Sequence, residues 1–160
     1  MVKITVICVG KIKENYLKSA IEEYSKRLSS FCRLEIKEVA DEKTSEDLSG
    51  AEENIIKNKE GQRIASLIKD RQYVITLEIE GEMPDSVGLS KRIDNLLTEG
   101  KSDICFIIGG SLGLSEDIKK RSNLHLSFSK LTFPHQLMRV ILLEQIYRSF
   151  KIINGEPYHK

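Results

Sequence analysis

The sequence predicts a single α/β domain built as a three-layer, mostly parallel sheet. Segments typical of strands alternate with segments typical of helices along the 160 residues, which is the order expected when helices join parallel strands. Ile104–Ile108 contains almost no polar residue, as expected for a strand covered on both faces. No repeat, low-complexity segment or linker interrupts residues 1–160, so one domain is the simplest interpretation.

The first elements are a strand, a helix and a second strand. Lys3–Val9 is a β-branched run, and Asn15–Leu28 places apolar side chains at spacings of three and four, the period of an amphipathic helix. Leu34, Ile36 and Val39 alternate with charged residues and mark the second strand.

A polar loop and a charged helix come next. Ala40–Gly50 is acidic and rich in loop and capping residues. Ala51–Ile68 has helical spacing, and Gly61 within it costs about 1 kcal/mol relative to alanine, so we expect the helix to bend or break there. The narrow apolar stripe of this helix consists of Ile55, Ile64, Leu67 and Ile68.

The second half continues the alternation of strands and helices. Tyr73–Ile79 is predicted to be the third strand, ended by Glu80–Pro84, and Ser86–Leu97 is predicted to be a helix closed by Gly100. His125 alternates with leucines and is expected to face solvent. The remaining elements are a fourth strand, a short helix, a short strand and a long helix, at Ile104–Ile108, after Gly113, near Leu124 and at Gln136–Ile153.

The last helix, Gln136–Ile153, is apolar on much more than one face. Such a helix on the outside of a small sheet exposes an apolar patch unless something covers it. We favour a twofold dimer partner as the cover, and burial by the same chain is the alternative. The apolar residues are Leu137, Met138, Val140, Ile141, Leu142, Leu143, Ile146, Tyr147 and Phe150.

Composition and cysteine usage predict a cytoplasmic protein without membrane or metal association. Charged residues make up 31% of the chain, and no stretch approaches the about 18 uncharged residues of a membrane helix. The N-terminus resembles a strand more than a signal peptide. Cys8, Cys32 and Cys105 are far apart, which favours reduced thiols over disulfides or a zinc site. The net charge is +1 with the basic excess in residues 101–160, which indicates an anionic partner there or ordinary scatter of surface charge.

Two strand ends near the carboxyl terminus open into loops that can expose main-chain groups. Gly109–Gly113 lacks the dinucleotide fingerprint, but its glycines permit close approach of the backbone to a ligand, or simply form a tight turn. Phe128–His135 is a polar loop whose Pro134 suits the start of the next helix. The two loops together predict a pocket for a small, flat, polar ligand such as adenine, with a plain helix-entry loop as the alternative for the second.

The sequence contains no conspicuous catalytic constellation. Neither a Ser/His/Asp set nor a pair of carboxylates stands out, which favours a reaction whose electrophile arrives with a cofactor while the protein binds and orients. The polar candidates for catalysis are His135, Arg139, Tyr158, His159 and Lys160.

Several motifs occur together along the chain and carry a family resemblance. They include Val9–Lys11, Lys59–Arg63, Thr76–Glu78, Phe106–Gly110, Leu126–Lys130, Thr132–Gln136, Glu144–Arg148 and Gly155–His159. With this combination the chain resembles, nearly end to end, the RlmH (YbeA-like) family of ribosomal RNA large-subunit methyltransferases in the SPOUT superfamily.

The resemblance implies S-adenosylmethionine as cofactor, a C-terminal trefoil knot and a homodimer packed through the knot. It implies that the substrate is N3 of pseudouridine 1915 in helix 69 of 23S rRNA, within the assembled ribosome. It also implies a cofactor pocket formed by Leu77, Gly109, Phe128, Ser129, Lys130, Leu131, Thr132 and Phe133. For such a reaction the polar candidates above are the groups that could accept the N3 proton or stabilise the developing anion, with the roles among them left open.

Three other functions are considered. A ribosome-binding module with the same fold would have no use for the loops at Gly109 and Phe128, and a tRNA methyltransferase of this superfamily commonly carries an added RNA-binding domain. A nicotinamide or flavin enzyme is disfavoured by the missing fingerprint. The nearly neutral charge is unusual for an RNA enzyme, so we expect recognition of ribosome shape with few phosphate contacts.

Overall fold

The computed structural model describes residues 1–158 and contains one parallel sheet. The strands are β1 (Val2–Val9), β2 (Cys32–Val39), β3 (Tyr73–Glu82), β4 (Asp103–Ile108) and β5 (Leu124–Leu126). Their order across the sheet is β2-β1-β4-β3-β5, and every neighbouring pair is parallel. The helices are α1 (Asn15–Leu28), α2 (Gly50–Ala65), α3 (Ser86–Thr98), α4 (Glu116–Arg121) and α5 (His135–Ile153).

Helices cover both faces of the sheet, so the predicted layers are confirmed. On one face α1, α3 and α5 pack over strand residues such as Ile4 and Phe106. On the other face α2 and α4 pack over Ile7 and Ile107. Successive strand residues point to opposite faces, which explains why the central strand β4 is apolar over Ile104–Ile108 and buried throughout that run.

The helix α2 continues through Gly61 from Gly50 to Ala65, so the expected break at this glycine does not occur. A Cβ at Gly61 would lie 2.4 Å from the Oγ of Ser115, and glycine therefore lets α2 approach the start of α4 closely. The predicted apolar stripe is only partly correct. The helix ends before Leu67 and Ile68, and Ile55 is 55% exposed.

The strand β3 continues past its predicted end at Ile79. Leu126 pairs first with Leu77 and then with Glu82, with a register shift between the two. A Cβ at Gly81 would lie 2.7 Å from the carbonyl carbon of His125, so only glycine fits at this crossing of β3 and β5. The glycine that was expected to end the strand instead allows it to continue.

The helix α5 is largely buried by its own chain. The rings of Phe31 and Phe150 stack with centroids 5.5 Å apart, and α5 also packs against α3. Leu137 is 38% exposed, and Val140 and Ile141 are partly exposed. Burial by the same chain therefore explains most of this helix, and a narrow apolar strip remains on its outer side.

The three cysteines are unpaired and buried in strands. Burial raises the pKa of the Cys8 and Cys105 thiols to about 12 and that of Cys32 to about 11, so the thiols are unreactive core groups at neutral pH. Within residues 1–158, no helix combines the length and apolar character needed to cross a bilayer. The same residues contain no group of three or more acidic, imidazole or thiol side chains arranged to hold a metal ion.

Candidate active site

A cavity of about 790 Å³ opens at the carboxyl ends of β3, β4 and β5. Its walls come from residues 77–80, 108–114 and 126–135, except for residue 130, together with Lys57 of α2, Lys119 of α4 and Met138 of α5. These segments are distant in sequence but converge, because parallel strands end at the same edge of a sheet. The volume lies within the range of pockets that hold small organic ligands, about 300–1,000 Å³.

The turn after β4 forms one wall from main-chain groups. Gly113 adopts φ +87°, a conformation that favours glycine, and its amide donates to the carbonyl of Gly110 at 3.1 Å. A Cβ at Gly109 would lie 3.0 Å from the carbonyl carbon of Gly113. The tight turn and the pocket wall are therefore the same structure, and the two interpretations of these glycines do not exclude each other.

The end of β3 supplies an acidic side chain to the cavity. The Glu78 carboxylate accepts a hydrogen bond from the Thr76 hydroxyl at 2.6 Å and contacts Nδ1 of His125. The Thr76 hydroxyl also lies 2.7 Å from that of Ser122. His125 reaches solvent, as expected, but the parallel register of β3 and β5 brings it beside Thr76 and into this polar network.

The loop after β5 forms the opposite wall and is anchored at its start. The amide of Ser127 donates to the carbonyl of Glu82 at 2.7 Å, and the amide of Leu131 donates to the Ser129 hydroxyl at 2.9 Å. Leu131 is 70% exposed although it lines the cavity. The loop thus places an apolar side chain at the opening of the cavity.

The structure brings together most of the residues predicted to bind a cofactor. Lys130 alone does not line the cavity, since its ammonium group lies 3.4 Å from the Glu80 carboxylate at the surface. The predicted residues that do line the cavity are Leu77, Gly109, Phe128, Ser129, Leu131, Thr132 and Phe133.

His135 is the catalytic candidate that reaches the cavity. It is the first residue of α5, and its side chain is half-buried. Burial lowers the pKa of His135, and the positive charge of Arg139 lowers it further, whereas Asp41 opposes both effects. The imidazole is therefore neutral at pH 7 and able to accept a proton.

Arg139 lies one turn further along α5 but does not line the cavity. Its side chain is 2% exposed and donates to the Glu38 carboxylate at 2.5 Å. The same guanidinium donates to the carbonyls of Val9 at 3.2 Å and Gly10 at 2.6 Å. Arg139 therefore ties α5 to the ends of β1 and β2 and fixes the position of the helix that carries His135.

Tyr158 packs on the far half of α5, away from the cavity. Its hydroxyl donates to the Glu144 carboxylate at 3.2 Å, and the Arg148 guanidinium lies 4.8 Å from the centre of its ring. Burial, followed by the negative charge of Glu144, raises the pKa of Tyr158 to about 12, so the phenol stays protonated. The other two tail candidates, His159 and Lys160, lie outside the described residues.

Sequence reasoning missed two acidic groups near the cavity. Glu78 was grouped with a family motif and given no role, and Glu60 was counted as a charged helix residue. Glu60 is 4% exposed and accepts the amide of Glu42 at 3.0 Å. Burial raises its pKa, and a Cβ at Gly110 would lie 3.1 Å from its Oε1. The positions of Glu78 and Glu60 near the cavity depend on how distant segments pack together, which the linear sequence does not show.

The fold and the cavity define a class of protein. A five-stranded parallel sheet with a cavity at the carboxyl ends of its strands is the architecture of an α/β protein that binds a small ligand. Residues 2–159 match the family described as "Predicted SPOUT methyltransferase", and the chain belongs to that family.

Individual relatives are more specific than the family. The chain is 63% identical over 157 residues to the "Ribosomal RNA large subunit methyltransferase H" of Clostridium botulinum strain Alaska E43, covering 98% of this chain and 99% of that protein. The protein of the same name from Clostridium kluyveri is 60% identical with the same coverage. A "Putative ribosomal RNA large subunit methyltransferase H" of Methanococcus maripaludis is 63% identical, again over 98% of this chain and 99% of that protein.

Proposed function

We propose that this protein is an S-adenosylmethionine-dependent methyltransferase of the large ribosomal subunit, which modifies N3 of pseudouridine 1915 in helix 69 of 23S rRNA. The coarse part of the proposal, methylation of large-subunit rRNA, follows the names of relatives that are about 60% identical over nearly the whole chain. The nucleotide, its position and the assembled ribosome as substrate follow the family resemblance. The protein would work in the cytoplasm.

One observation supports the proposal most strongly. The cavity that a methyl donor requires lies where the family motifs fall, at the ends of β3 and β4 and in the loop after β5. The cavity offers main-chain donors and acceptors at its turns and apolar side chains at Leu77, Leu126 and Met138. A flat adenine ring with a short polar tail needs this combination of a few directional polar groups and apolar faces.

The residues present fit the cofactor. The main chain near Gly109 and in 128–133 would hold the adenosyl part, with Leu77 beneath it. When bound, S-adenosylmethionine supplies a methyl group on a positively charged sulfur, which a nitrogen nucleophile attacks in line. The protein must then hold the target nitrogen at about 3–3.5 Å from that carbon and exclude water from the encounter.

The proton on N3 has to leave before or during methyl transfer. His135 is neutral and half-buried at the cavity, so we assign it the role of proton acceptor. Arg139 would act as a positioning residue through its bonds to the ends of β1 and β2. Tyr158, His159 and Lys160 would approach the cavity of a second subunit and complete the site there.

The dimer and the knot belong to the same proposal. The apolar strip of α5 at Leu137 and Ile141 is the surface that a twofold partner would cover. In the knot the chain end would thread through a loop beneath the cofactor. Sedimentation of the purified protein tests the dimer, and a crystallographic chain trace tests the knot.

Methyl transfer to ribosomes tests the activity. The purified protein would be incubated with S-adenosylmethionine carrying a labelled methyl group and with ribosomes from cells that lack it. We expect label in the large-subunit rRNA, and mass mapping should place it on N3 of the nucleotide named above. Protein-free rRNA should be a poor substrate, because recognition depends on the assembled particle.

Three results would count against the proposal. Ribosome binding without affinity for S-adenosylmethionine in calorimetry would indicate a non-catalytic module. Label in tRNA with none in the large subunit would indicate another RNA substrate. Label at a different rRNA nucleotide would leave the coarse function standing and remove the assigned position.

A further inference from the structure

A rigid polar turn lies at the amino-terminal edge of the sheet, the edge opposite the cavity. The amide of Lys69 donates to the side chain of Gln72 at 2.9 Å, and the amide of Gln72 donates to the carbonyl of Lys69 at 3.0 Å. Gln72 is buried and donates to Asp103 at 3.1 Å. The Arg121 guanidinium donates to three carbonyls of this turn, at 3.1–3.4 Å. The backbone of the turn is therefore held firmly.

The turn presents Lys69 to two other lysines, Lys3 of β1 and Lys37 of β2. The ammonium groups of Lys3 and Lys37 lie 4.0 Å and 3.9 Å from the same carboxylate, that of Glu35. The charge of Lys3, contact with its side chain and the charge of Lys37 all lower the pKa of Lys69. Within residues 1–158, Lys69 forms no ion pair. The Glu35 carboxylate thus lies between Lys3 and Lys37, and Asp103, opposite Lys3 in the register of β1 and β4, is already bound by Arg71 and Gln72. We call Lys3, Lys37 and Lys69 the lysine cluster.

The crowding of these charges points to an anionic ligand. Like charges this close repel one another, and the rigid turn prevents Lys69 from relaxing its backbone. An anion between the ammonium groups would convert this repulsion into attraction. Lysine ammonium groups are compact point charges with rotatable donors, and they bind phosphate oxygens well without selecting a base.

We propose that the lysine cluster binds backbone phosphates of the RNA substrate, away from the modified nucleotide; this rests on the proposed function. Lys3 lies five residues before Cys8, which pairs with the cavity residue Ile108, a distance of about 17 Å at 3.3 Å per residue, so one RNA segment can reach both the cluster and the cavity. The cluster lies on the α2 side of the sheet and α5 on the other side, so a dimer through α5 leaves it exposed. A protein of net charge +1 would thus concentrate its phosphate contacts in one place.

Charge removal with a matched control tests the cluster. The variant carries Lys3→Gln, Lys37→Gln and Lys69→Gln. The control removes the same charge from exposed helix positions on the other side of the sheet and carries Lys18→Gln, Lys26→Gln and Lys91→Gln. Lys69→Gln alone, at an exposed turn position, provides a milder variant should the triple variant fold poorly. The probes are ribosomes in the methyl-transfer assay and protein-free large-subunit rRNA in filter binding, each at several salt concentrations.

We expect the cluster variant to raise the KM for ribosomes about tenfold or more, and to lower the salt slope of RNA binding by about one for each phosphate that the cluster no longer binds. Its kcat and its affinity for S-adenosylmethionine should stay within twofold of the wild type, and Lys69→Gln alone should give part of the effect.

An unchanged KM, or an equal effect in the control, would overturn the inference. So would weaker binding to ribosomes with unchanged binding to protein-free rRNA, which would indicate an acidic protein as the partner. If the wild type methylates no RNA, the proposed function fails, and the filter-binding comparison still decides the fate of the cluster.

Discussion

The two ends of α5 differ in what they contact. At its start, His135 lines the cavity, and Arg139 binds the ends of β2 and β1, which lie 101 to 130 residues away in sequence. At its far end, Tyr158 contacts Glu144 and the ring of Tyr147, with centroids 5.0 Å apart. These two partners lie on α5 itself, within 14 residues of Tyr158 in sequence, and Tyr24 of α1 lies near enough to contribute to the raised pKa of Tyr158.

This difference indicates which contacts of α5 stabilise the fold and which leave a residue available to bind another surface. Contacts between distant segments hold the fold together, and the bonds of Arg139 to the carbonyls of Val9 and Gly10 are buried, so water cannot replace them when they are removed. The contacts of Tyr158 with α5 are partly exposed, so water can replace them more easily than it replaces the buried bonds of Arg139. The start of α5 is therefore built to position a site, whereas the tail can leave α5 for another surface at little cost.

Deleting Tyr158–Lys160 should have the largest effect. We expect methyl transfer to fall below detection while the affinity for S-adenosylmethionine and the thermal midpoint stay nearly unchanged, since Tyr158 does not line the cavity. The measurements are labelled-methyl transfer and calorimetry. Equal loss of binding and transfer would contradict the separation of the two ends.

Mixing subunits sharpens that prediction. Tail-deleted subunits and subunits with His135→Gln should both be inactive alone. If each site uses the tail of its partner, random exchange should restore about a quarter of wild-type activity, since half the dimers are mixed and each has one intact site. No recovery would mean that the tail serves its own subunit.

Arg139→Met should destabilise the fold by about 3 kcal/mol, because it removes a buried cation from Glu38 and leaves two strand-end carbonyls unpaired. Urea unfolding followed by circular dichroism measures the change. The control is Arg92→Met, whose partner Glu82 is exposed, and it should leave the midpoint almost unchanged. Equal stability of wild type and Arg139→Met would show that the bonds of Arg139 to the ends of β1 and β2 do not stabilise the fold.

His135→Gln should lower kcat by about 100-fold, the size expected for loss of a proton acceptor. Affinity for S-adenosylmethionine should change less than threefold, and the unfolding midpoint should change little. Steady-state kinetics on ribosomes measures kcat, and calorimetry measures the affinity for S-adenosylmethionine. A fall in affinity as large as the fall in kcat would assign His135 to cofactor binding.

The pH dependence of stability follows from the lowered pKa of His135. The unfolded chain takes up the proton near pH 6.5, whereas the folded protein takes it up only at lower pH. Between these values the unfolded state binds more protons, so the free energy of unfolding should fall as the pH decreases below 6.5. Urea unfolding between pH 5 and pH 8 should show this fall in the wild type and a smaller one in His135→Gln. Identical slopes would contradict the assignment.

Tyr158→Phe should have the smallest effect, a loss of about 0.5 kcal/mol, because one partly exposed hydrogen bond to Glu144 is removed and the ring contacts remain. The same urea assay measures it. A loss comparable with that of Arg139→Met would mean that the tail is part of the folded core.

Much of the fold was predictable because its signals are local. The helix at Asn15–Leu28 was predicted with the bounds that the structure shows, and β1 and β4 were placed within one residue at each end, since periodicity and apolar runs are read from neighbouring residues. Gly61 and Gly81 were misinterpreted for one reason. In isolation a glycine predicts that a helix or strand ends. Here each glycine lets another segment approach so closely that a Cβ at its position would clash with it.

The charge of the chain shows the same limit. The basic excess lies in residues 101–160, but the lysine cluster draws its members from β1, β2 and the turn before β3. Neighbouring strands bring these charges together, and the linear distribution of charge does not reveal which strands are neighbours. In the same way, nothing local marks Arg139 as a buried clamp and His135, four residues earlier, as a cavity residue.

By itself the sequence determined the α/β class, the order of the elements and the two loops of the candidate site, because these depend on patterns within a few residues of one another. Tertiary structure decided the strand order, the register of β3 and β5, the partners of Arg139 and Glu60, and the meeting of three lysines. Those features depend on which distant segments share an edge or a face. Packing of the whole chain selects them, and no short stretch of residues encodes them.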